Sequence, residues 1–330
     1  MELTGRRVLV TGADGFIGSH LVERLVAEGA DVRAFCIYNS RGSWGWLDEA
    51  DPSIRASLDV RLGDIRDARF VEAATAGVEV VFHLAALIAI PYSYVAPASF
   101  IETNVTGTAN VLEAARRAGT LRVVQTSTSE VYGTPDVLPI TEDHPLRAQS
   151  PYAATKVAAD QLSLAFARSF DLPVVVLRPF NTYGPRQSAR AVLPTMLRQM
   201  LAGETEIRLG RLDPRRDLTY VSDTVDGFVR AAVSHGIDGQ TIQLGTGRSE
   251  SIAELFAIAC RLLGVDARPI EDPARLRPDA SEVLVLQSDP TRARELLGWE
   301  ATTSLEDGMA RTIEWLRAHP EPAPDDRVQL

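Results

Sequence analysis

The chain has 330 residues, 45% of them apolar and 24% charged, with 34 basic against 44 acidic side chains and a net charge of −10. That length supports a large core and two connected lobes, because single cores stop growing at about 250–300 residues. The acidic balance excludes a generic binder of nucleic acid or anionic membrane. Cys36 and Cys260 have no metal-ligand spacing around them, Val8-Leu9-Val10 is too short for a signal segment, and the longest apolar run, Leu84 to Ile90, is too short to span a bilayer. No disulfide framework, metal site or membrane is therefore expected, and a reduced cytoplasmic setting is.

Arg7 to Thr11 reads as a short buried strand, and Gly12-Ala13-Asp14-Gly15-Phe16-Ile17-Gly18 follows it at once. Leu21, Val22, Leu25 and Val26 then repeat at helical spacing up to Gly29, a helix stop, and Asp31 to Ile37 is a second strand. In such a unit of about thirty residues the glycines let the backbone approach a pyrophosphate held at a helix N-terminus. Without that context the same glycines would make an ordinary tight turn.

Val60 to Leu62 leads into Gly63-Asp64-Ile65-Arg66-Asp67, Val78 to Leu84 is a further strand, and Ile88 to Pro97 is expected as a loop carrying Tyr92, Ser93 and Tyr94. Phe100 to Thr108 opens a helix with Val111, Leu112 and Ala115 on its apolar face and Asn104 in an architectural role. Leu121 to Gln125 is a strand, and Thr126-Ser127-Thr128-Ser129-Glu130-Val131-Tyr132-Gly133 lies at its carboxyl end, where open parallel sheets bind ligands. Ser150 and Pro151 start a helix on which Tyr152 and Lys156 share one face. Leu172 to Leu177 is another strand, after which the pattern loosens into a smaller lobe. There Arg215-Arg216 and Arg275-Leu276-Arg277 are either an anion clamp or solvated loop arginines. Trp299 and Trp315 read as core, and the tail from His319 as disordered.

The spacing Gly12-x-x-Gly15-x-x-Gly18 resembles the extended short-chain dehydrogenase/reductase superfamily, with its NAD-dependent nucleotide-sugar epimerases and dehydratases. The resemblance implies an α/β fold, a Rossmann-like doubly wound parallel sheet with a smaller C-terminal α/β substrate lobe. Residues 1–180, with about 219–245 returning to them, would bind NAD(P); 181–218 and 246–318 would bind a nucleotide-diphosphate sugar; 319–330 would be a disordered tail. Gly12, Gly15, Phe16, Ile17 and Gly18 would hold the pyrophosphate, Asp64 and Ile65 would lie beside the adenine, and Leu84, Ala85 and Ala86 would pass close to the cofactor. Many members carry an Asp at the end of the second strand; the equivalent here is Cys36, with Ser40 and Arg41 following. Losing that acid removes repulsion against a 2′-phosphate, and Arg41 could pair with one, so NADP stays open beside NAD.

Oxidising a sugar alcohol removes a proton and a hydride together. Tyr152 is the expected base, with Lys156 and the positive nicotinamide lowering its pKa and Thr128 holding the same hydroxyl. Glu130 discriminates among reactions. A ketone at C4 acidifies the C5 proton, which a carboxylate can remove while the C6 hydroxyl is expelled, whereas a 4-epimerase has no such task. The alternative for Glu130 is an ion pair with a neighbouring Arg.

Thr128-Ser129-Glu130 is similar to the Thr-Ser-Glu of GDP-mannose 4,6-dehydratases and of UDP-glucuronate decarboxylases, whereas dTDP-glucose 4,6-dehydratases have Asp in the middle. Ser129 cannot act as that acid at neutral pH, so Glu130 would also supply the proton to C6. The runs Ser43 to Asp48, Ala85 to Ser93 and Arg178 to Val192 resemble NAD-dependent 4,6-dehydratases of legionaminic-acid-type pathways, which act on nucleotide-linked N-acetylglucosamine. By that resemblance Ser93 would touch the sugar, Asn181 and Arg216 the diphosphate and Arg277 the nucleotide end. A homodimer would form through the helices after Asn104 and at Pro151 to Arg168. The competing readings are a UDP-glucuronate decarboxylase, for which no Arg can be assigned to the sugar carboxylate, a 4-epimerase, and a non-catalytic NADP-sensing protein, which predicts a degraded Tyr/Lys pair.

Overall fold

β1 (Arg7–Thr11), β2 (Asp31–Ile37), β3 (Asp59–Gly63), β4 (Val80–His83), β5 (Arg122–Thr126) and β6 (Val174–Pro179) join the strand Thr241–Leu244 in one seven-stranded parallel sheet. The structure is a computed structural model and describes residues 1–320. Its strand order is Thr241–Leu244, β6, β5, β4, β1, β2, β3. The order reverses between β1 and β4, so the connections leaving their carboxyl ends diverge and open a crevice there. Val8, Leu9 and Val10 in β1 and Val80, Val81 and Phe82 in β4 are all fully buried, as expected of parallel strands covered by helices on both faces.

α1 (Phe16–Ala27) starts inside the glycine motif and ends before Gly29, which has φ +79°. The stretch expected as a loop, Ile88 to Pro97, instead contains the helices Ile90–Val95 and Pro97–Phe100. Pro91 and Pro97 sit in first turns, where a missing N–H costs nothing. A π-helical turn, Ile101–Thr106, continues into the helix Gly107–Ala118. Asn104 lies in that turn, accepting from Leu87 N–H (2.8 Å) and donating to the Leu87 carbonyl (2.9 Å) and Thr155 Oγ1 (3.0 Å), an architectural clamp.

The second half carries the helices Val192–Leu201, Ile252–Leu263 and Leu305–Ala318 with short strand pairs. One apolar cluster runs from Val8 and Val10 through Phe228 to Leu197, Leu255 and Trp299, so both halves are built on a shared core. The helix Val221–Val233 packs on α1, β5 and β6. Trp299 is buried, but Trp315 is only half-buried, with the His319 ring stacked on it at 4.3 Å. His319 and Pro320 are therefore structured, and the rest of the expected tail, 321–330, lies outside the described residues. Among the described residues no helix is long and apolar enough to cross a membrane.

Candidate active site

The glycine motif forms the floor of the crevice. Gly12 has φ +70°, and a Cβ there would lie 2.8 Å from Ala85 N; one on Gly18 would lie 2.0 Å from the Gly12 carbonyl. Only glycine permits this approach of β1, α1 and the segment after β4. Gly15 is the N-cap of α1 and no side chain caps the first turn, so the turn of Phe16, Ile17 and Gly18 keeps the donor character that suits an anionic pyrophosphate. These residues fit a dinucleotide. Thr11 Oγ1 accepts from the N–H groups of Leu84 and Ala85 (3.2 Å each), which orders the Leu84-Ala85-Ala86 wall. Its own proton must then go to His83 Nδ1 (2.7 Å), leaving His83 Nε2–H to donate to Thr108 Oγ1 (3.1 Å).

At the adenosine end, Cys36 is fully buried while Ile37 is exposed; burial first, then the carboxylates of Asp14 and Asp48, pushes the thiol up to about 12. The loop Ser43 to Asp48 folds onto the glycine turn: Trp46 N–H donates to the Asp14 carbonyl (3.1 Å), and a Cβ on Gly45 would lie 2.4 Å from that oxygen. Ser40 and Arg41 are exposed, with Arg41 N–H held by Asn39 Oδ1 (3.1 Å). Asp64 is paired with Arg66 (2.6 Å), and Ile65 is buried against Gly107.

The chemistry-bearing turn leaves the end of β5. Thr128 is extended and caps the 3₁₀ turn Ser129–Tyr132, its hydroxyl accepting from Glu130 N–H (3.2 Å); Ser129 is buried. Tyr152 and Lys156 rise beside it on the helix Pro151–Phe170, whose N-cap Ser150 accepts from Ala153 N–H. Burial raises the Tyr152 phenol well above its usual range; the Thr128 hydroxyl opposes that shift, and the charges of Glu130 and Asp160 reinforce it. This corrects the expectation of a phenol lowered by Lys156. The Lys156 ammonium donates instead to the Thr126 carbonyl (2.6 Å), and burial lowers it to about 8.

From the second half, Arg216 and Arg277 converge on the same turn. Arg277 Nη1 is 3.8 Å from Glu130 Oε1 and 3.9 Å from Glu282 Oε1, and Arg216 pairs with Glu282 at 3.1 Å. The alternative reading of Glu130, an ion pair with an arginine, is thus realised in this state. Arg277 Nη1 and Asn181 Oδ1 are buried without a hydrogen-bond partner. Asp217 anchors Arg216 by accepting from Thr246 N–H (2.8 Å), Gly247 N–H (3.0 Å) and Ser288 N–H (3.0 Å). Ser93 is wholly buried, with its hydroxyl donating to the Ile90 carbonyl (2.7 Å), its own helix. Sequence reasoning missed Glu282, which no spacing marks. It also missed Asp160, although Tyr152, Lys156 and Asp160 recur every four residues on one helix face.

A family model described as GDP-mannose 4,6 dehydratase matches residues 9–312. The chain is 39% identical over 316 residues to a UDP-glucose 4-epimerase of Mycolicibacterium smegmatis, covering 94% of this chain and 98% of that protein. Among solved structures it is similar to a UDP-glucose 4-epimerase of Thermotoga maritima with UDP-glucose (TM-score 0.86, 32% identity, 96% of this chain and 100% of that one). It is also similar to a dTDP-glucose 4,6-dehydratase of Streptomyces venezuelae with NAD (TM-score 0.83, 33% identity, 94% and 97%). The glycine cradle, the Thr128/Tyr152/Lys156 cluster and these matches lead to one assignment: the chain belongs to the GDP-mannose 4,6-dehydratase family of NAD-dependent epimerase/dehydratase enzymes, on the short-chain dehydrogenase/reductase fold.

Proposed function

We propose that the protein is a nucleotide-sugar 4,6-dehydratase acting on a UDP- or GDP-linked hexose such as N-acetylglucosamine, with a retained NAD. The observation that carries this reading is the Glu130 carboxylate, fixed in the turn that the Thr128 hydroxyl caps at 3.2 Å, next to the Thr128/Tyr152 pair. Bound NAD would supply hydride acceptance and hydride return. Tyr152 takes the proton of the C4 hydroxyl, which Thr128 orients; burial alone holds the phenol neutral, and the Lys156 cation together with the positive nicotinamide of bound NAD would offset that burial. Once C4 is a ketone, Glu130 removes the C5 proton and passes it to the departing C6 hydroxyl, so that water leaves. The proton that replaces it at C5 balances the one Tyr152 took. Ser129 lines the turn as a neutral hydroxyl.

Arg216, Asn181 and Arg277 hold the diphosphate and nucleotide in this reading, with Arg277 moving from Glu130 to the ligand as the substrate enters. What supports it is that Arg277 Nη1, a donor, has no hydrogen-bond partner of its own; Asn181 would reach the diphosphate through its Nδ2 donor, since its unpartnered Oδ1 can only accept. Ser93, wholly buried and bonded to the Ile90 carbonyl, is given no contact with the sugar in this reading. NAD is favoured by the similar solved structures that hold NAD; the exposed Arg41 guanidinium, whose backbone N–H alone is held by Asn39, leaves a 2′-phosphate partner in place, so NADP is the alternative cofactor. A homodimer is supported by Ile101 (55% exposed), in the turn that precedes one of the helices expected to pair, lying beside Ala154 and Ala158 of the other; Ile101→Glu should yield monomers in sedimentation.

A second reading, 4-epimerase, is favoured by the 39% identical relative and by the engagement of Glu130 with Arg277. Incubation with UDP- and GDP-sugars without added reductant separates them. Loss of one water in the product mass supports the dehydratase, unchanged mass with altered ring protons the epimerase, and loss of carbon dioxide a decarboxylase.

A further inference from the structure

Lys156 is the sole lysine in the chain; every other strongly basic position is arginine. An arginine stays cationic wherever it is buried, whereas an ammonium is a compact charge that burial readily neutralises. The one lysine is also 4% exposed, in the place where burial opposes its charge most. Something must offset that cost, and the candidate lies one helical turn on.

We propose that Asp160, paired with Arg178, is the positioning residue of this site: it holds Lys156 cationic and fixes both ends of the Thr128-Ser129-Glu130 triplet. The proposal rests on the role given to Lys156 above. Asp160 is wholly buried. Its Oδ2 accepts from Ser127 Oγ (2.8 Å) and from Arg178 Nε and Nη2 (3.0 Å each), while its Oδ1 is buried with no hydrogen-bond partner. Arg178 Nη1 donates to the Tyr132 hydroxyl (2.9 Å), and the guanidinium lies 5.0 Å from the centre of the Tyr132 ring. Ser127 immediately precedes the triplet and Tyr132 follows it by two residues. One ion pair therefore grips the turn on both sides, and it spans the helix Pro151–Phe170, β6 and the end of β5.

Asp160 stands one helical turn beyond Lys156 on the same buried helix face, and its charge favours the ammonium. Tyr152, one turn back, is held as a neutral phenol by burial. His83 on β4 is pushed down to about 3 by burial first and by Lys156 second, so it too is neutral. From β5 the ammonium meets only the Thr126 carbonyl, and Arg178 on β6 reaches it through Asp160. Asp160 raises Lys156 while burial lowers it, so neutralising Asp160 moves the ammonium further down.

Because only one lysine is present, protein grown on ¹³C-labelled lysine gives a single side-chain Cε resonance, whose shift against pH reads Lys156 alone and needs no substrate. Asp160→Asn should move the midpoint of that titration down by about one unit or more, the size expected for losing a close opposite charge. If Asp160→Asn fails to fold, Asp160→Asn/Arg178→Gln removes both members of the buried pair and leaves no unpaired charge; its midpoint should move the same way, by less. An unchanged midpoint in the folded variant overturns the proposal. Failure of the functional reading looks different: Lys156→Met would then retain turnover of the panel substrate, whatever Asp160→Asn does to the resonance.

Discussion

Replacing Glu130 by Gln separates catalysis from stability. The change is isosteric and removes one charge from a cluster of two carboxylates and two guanidiniums, Glu130, Glu282, Arg216 and Arg277. At 3.8 Å the Glu130–Arg277 attraction has a ceiling of about 4 kcal/mol at an effective dielectric of about 20. The net loss should be far smaller, about 1 kcal/mol or less, because the arginine side chain is 26% exposed and keeps Glu282 at 3.9 Å. Denaturant unfolding should therefore find Glu130→Gln nearly as stable as the parent. Water loss should fall by about 10²–10⁴, the range for removing a general acid/base and equal to about 3–5 kcal/mol. Reduction of bound cofactor on mixing with substrate should persist, since Tyr152, Lys156 and Thr128 are untouched. Dehydration by this variant at the parent rate refutes the role given to Glu130, and a loss of several kcal/mol in stability makes Glu130 a structural ion-pair partner.

Tyr152→Phe should fold, since the ring is buried against Phe100, yet lose cofactor reduction as well as product, read by absorbance on substrate addition. Gly18→Val should lower the cofactor carried through purification, because even a Cβ lies 2.0 Å from the Gly12 carbonyl; the overpacking should cost about 1–3 kcal/mol. Arg216→Ala leaves the partly buried Glu282 without its closest partner and should cost about 1–3 kcal/mol in denaturant unfolding, with a raised KM. His83 is neutral in the fold, with its pKa pushed down from 6.5 to about 3. The unfolded chain takes up a proton below about 6.5 that the fold excludes, so stability is full above that pH and is lost as pH falls toward 3; His83→Gln should flatten this acid limb.

Much of the sheet was legible in the sequence, because parallel strands buried on both faces read as unbroken apolar runs; Arg7–Thr11 and Asp31–Ile37 have the bounds their residues suggest. Ile90–Val95 and Pro97–Phe100 were not, since two prolines and two tyrosines look like loop until tertiary packing places each proline in a first turn. At the site, Thr128, Tyr152 and Lys156 were legible because residues on a strand end and one helix face can be placed from spacing alone. The approach of Arg277 to Glu130 was not: the two are 147 positions apart, and nothing local brings them together. The direction of the Tyr152 shift was misjudged for a related reason. Charge partners can be guessed from a motif, but the depth of burial that outweighs them, and the Thr126 carbonyl that occupies Lys156, belong to the assembled fold.

The central claim is that hydride taken from C4 finishes at C6 while water is lost. A UDP- or GDP-hexose carrying deuterium at C4, incubated with the protein and no added reductant, reports both events in one spectrum. The account predicts a product lighter by one water with the deuterium in a new C6 methyl group. Unchanged mass with the label back at C4 of an inverted centre would contradict it.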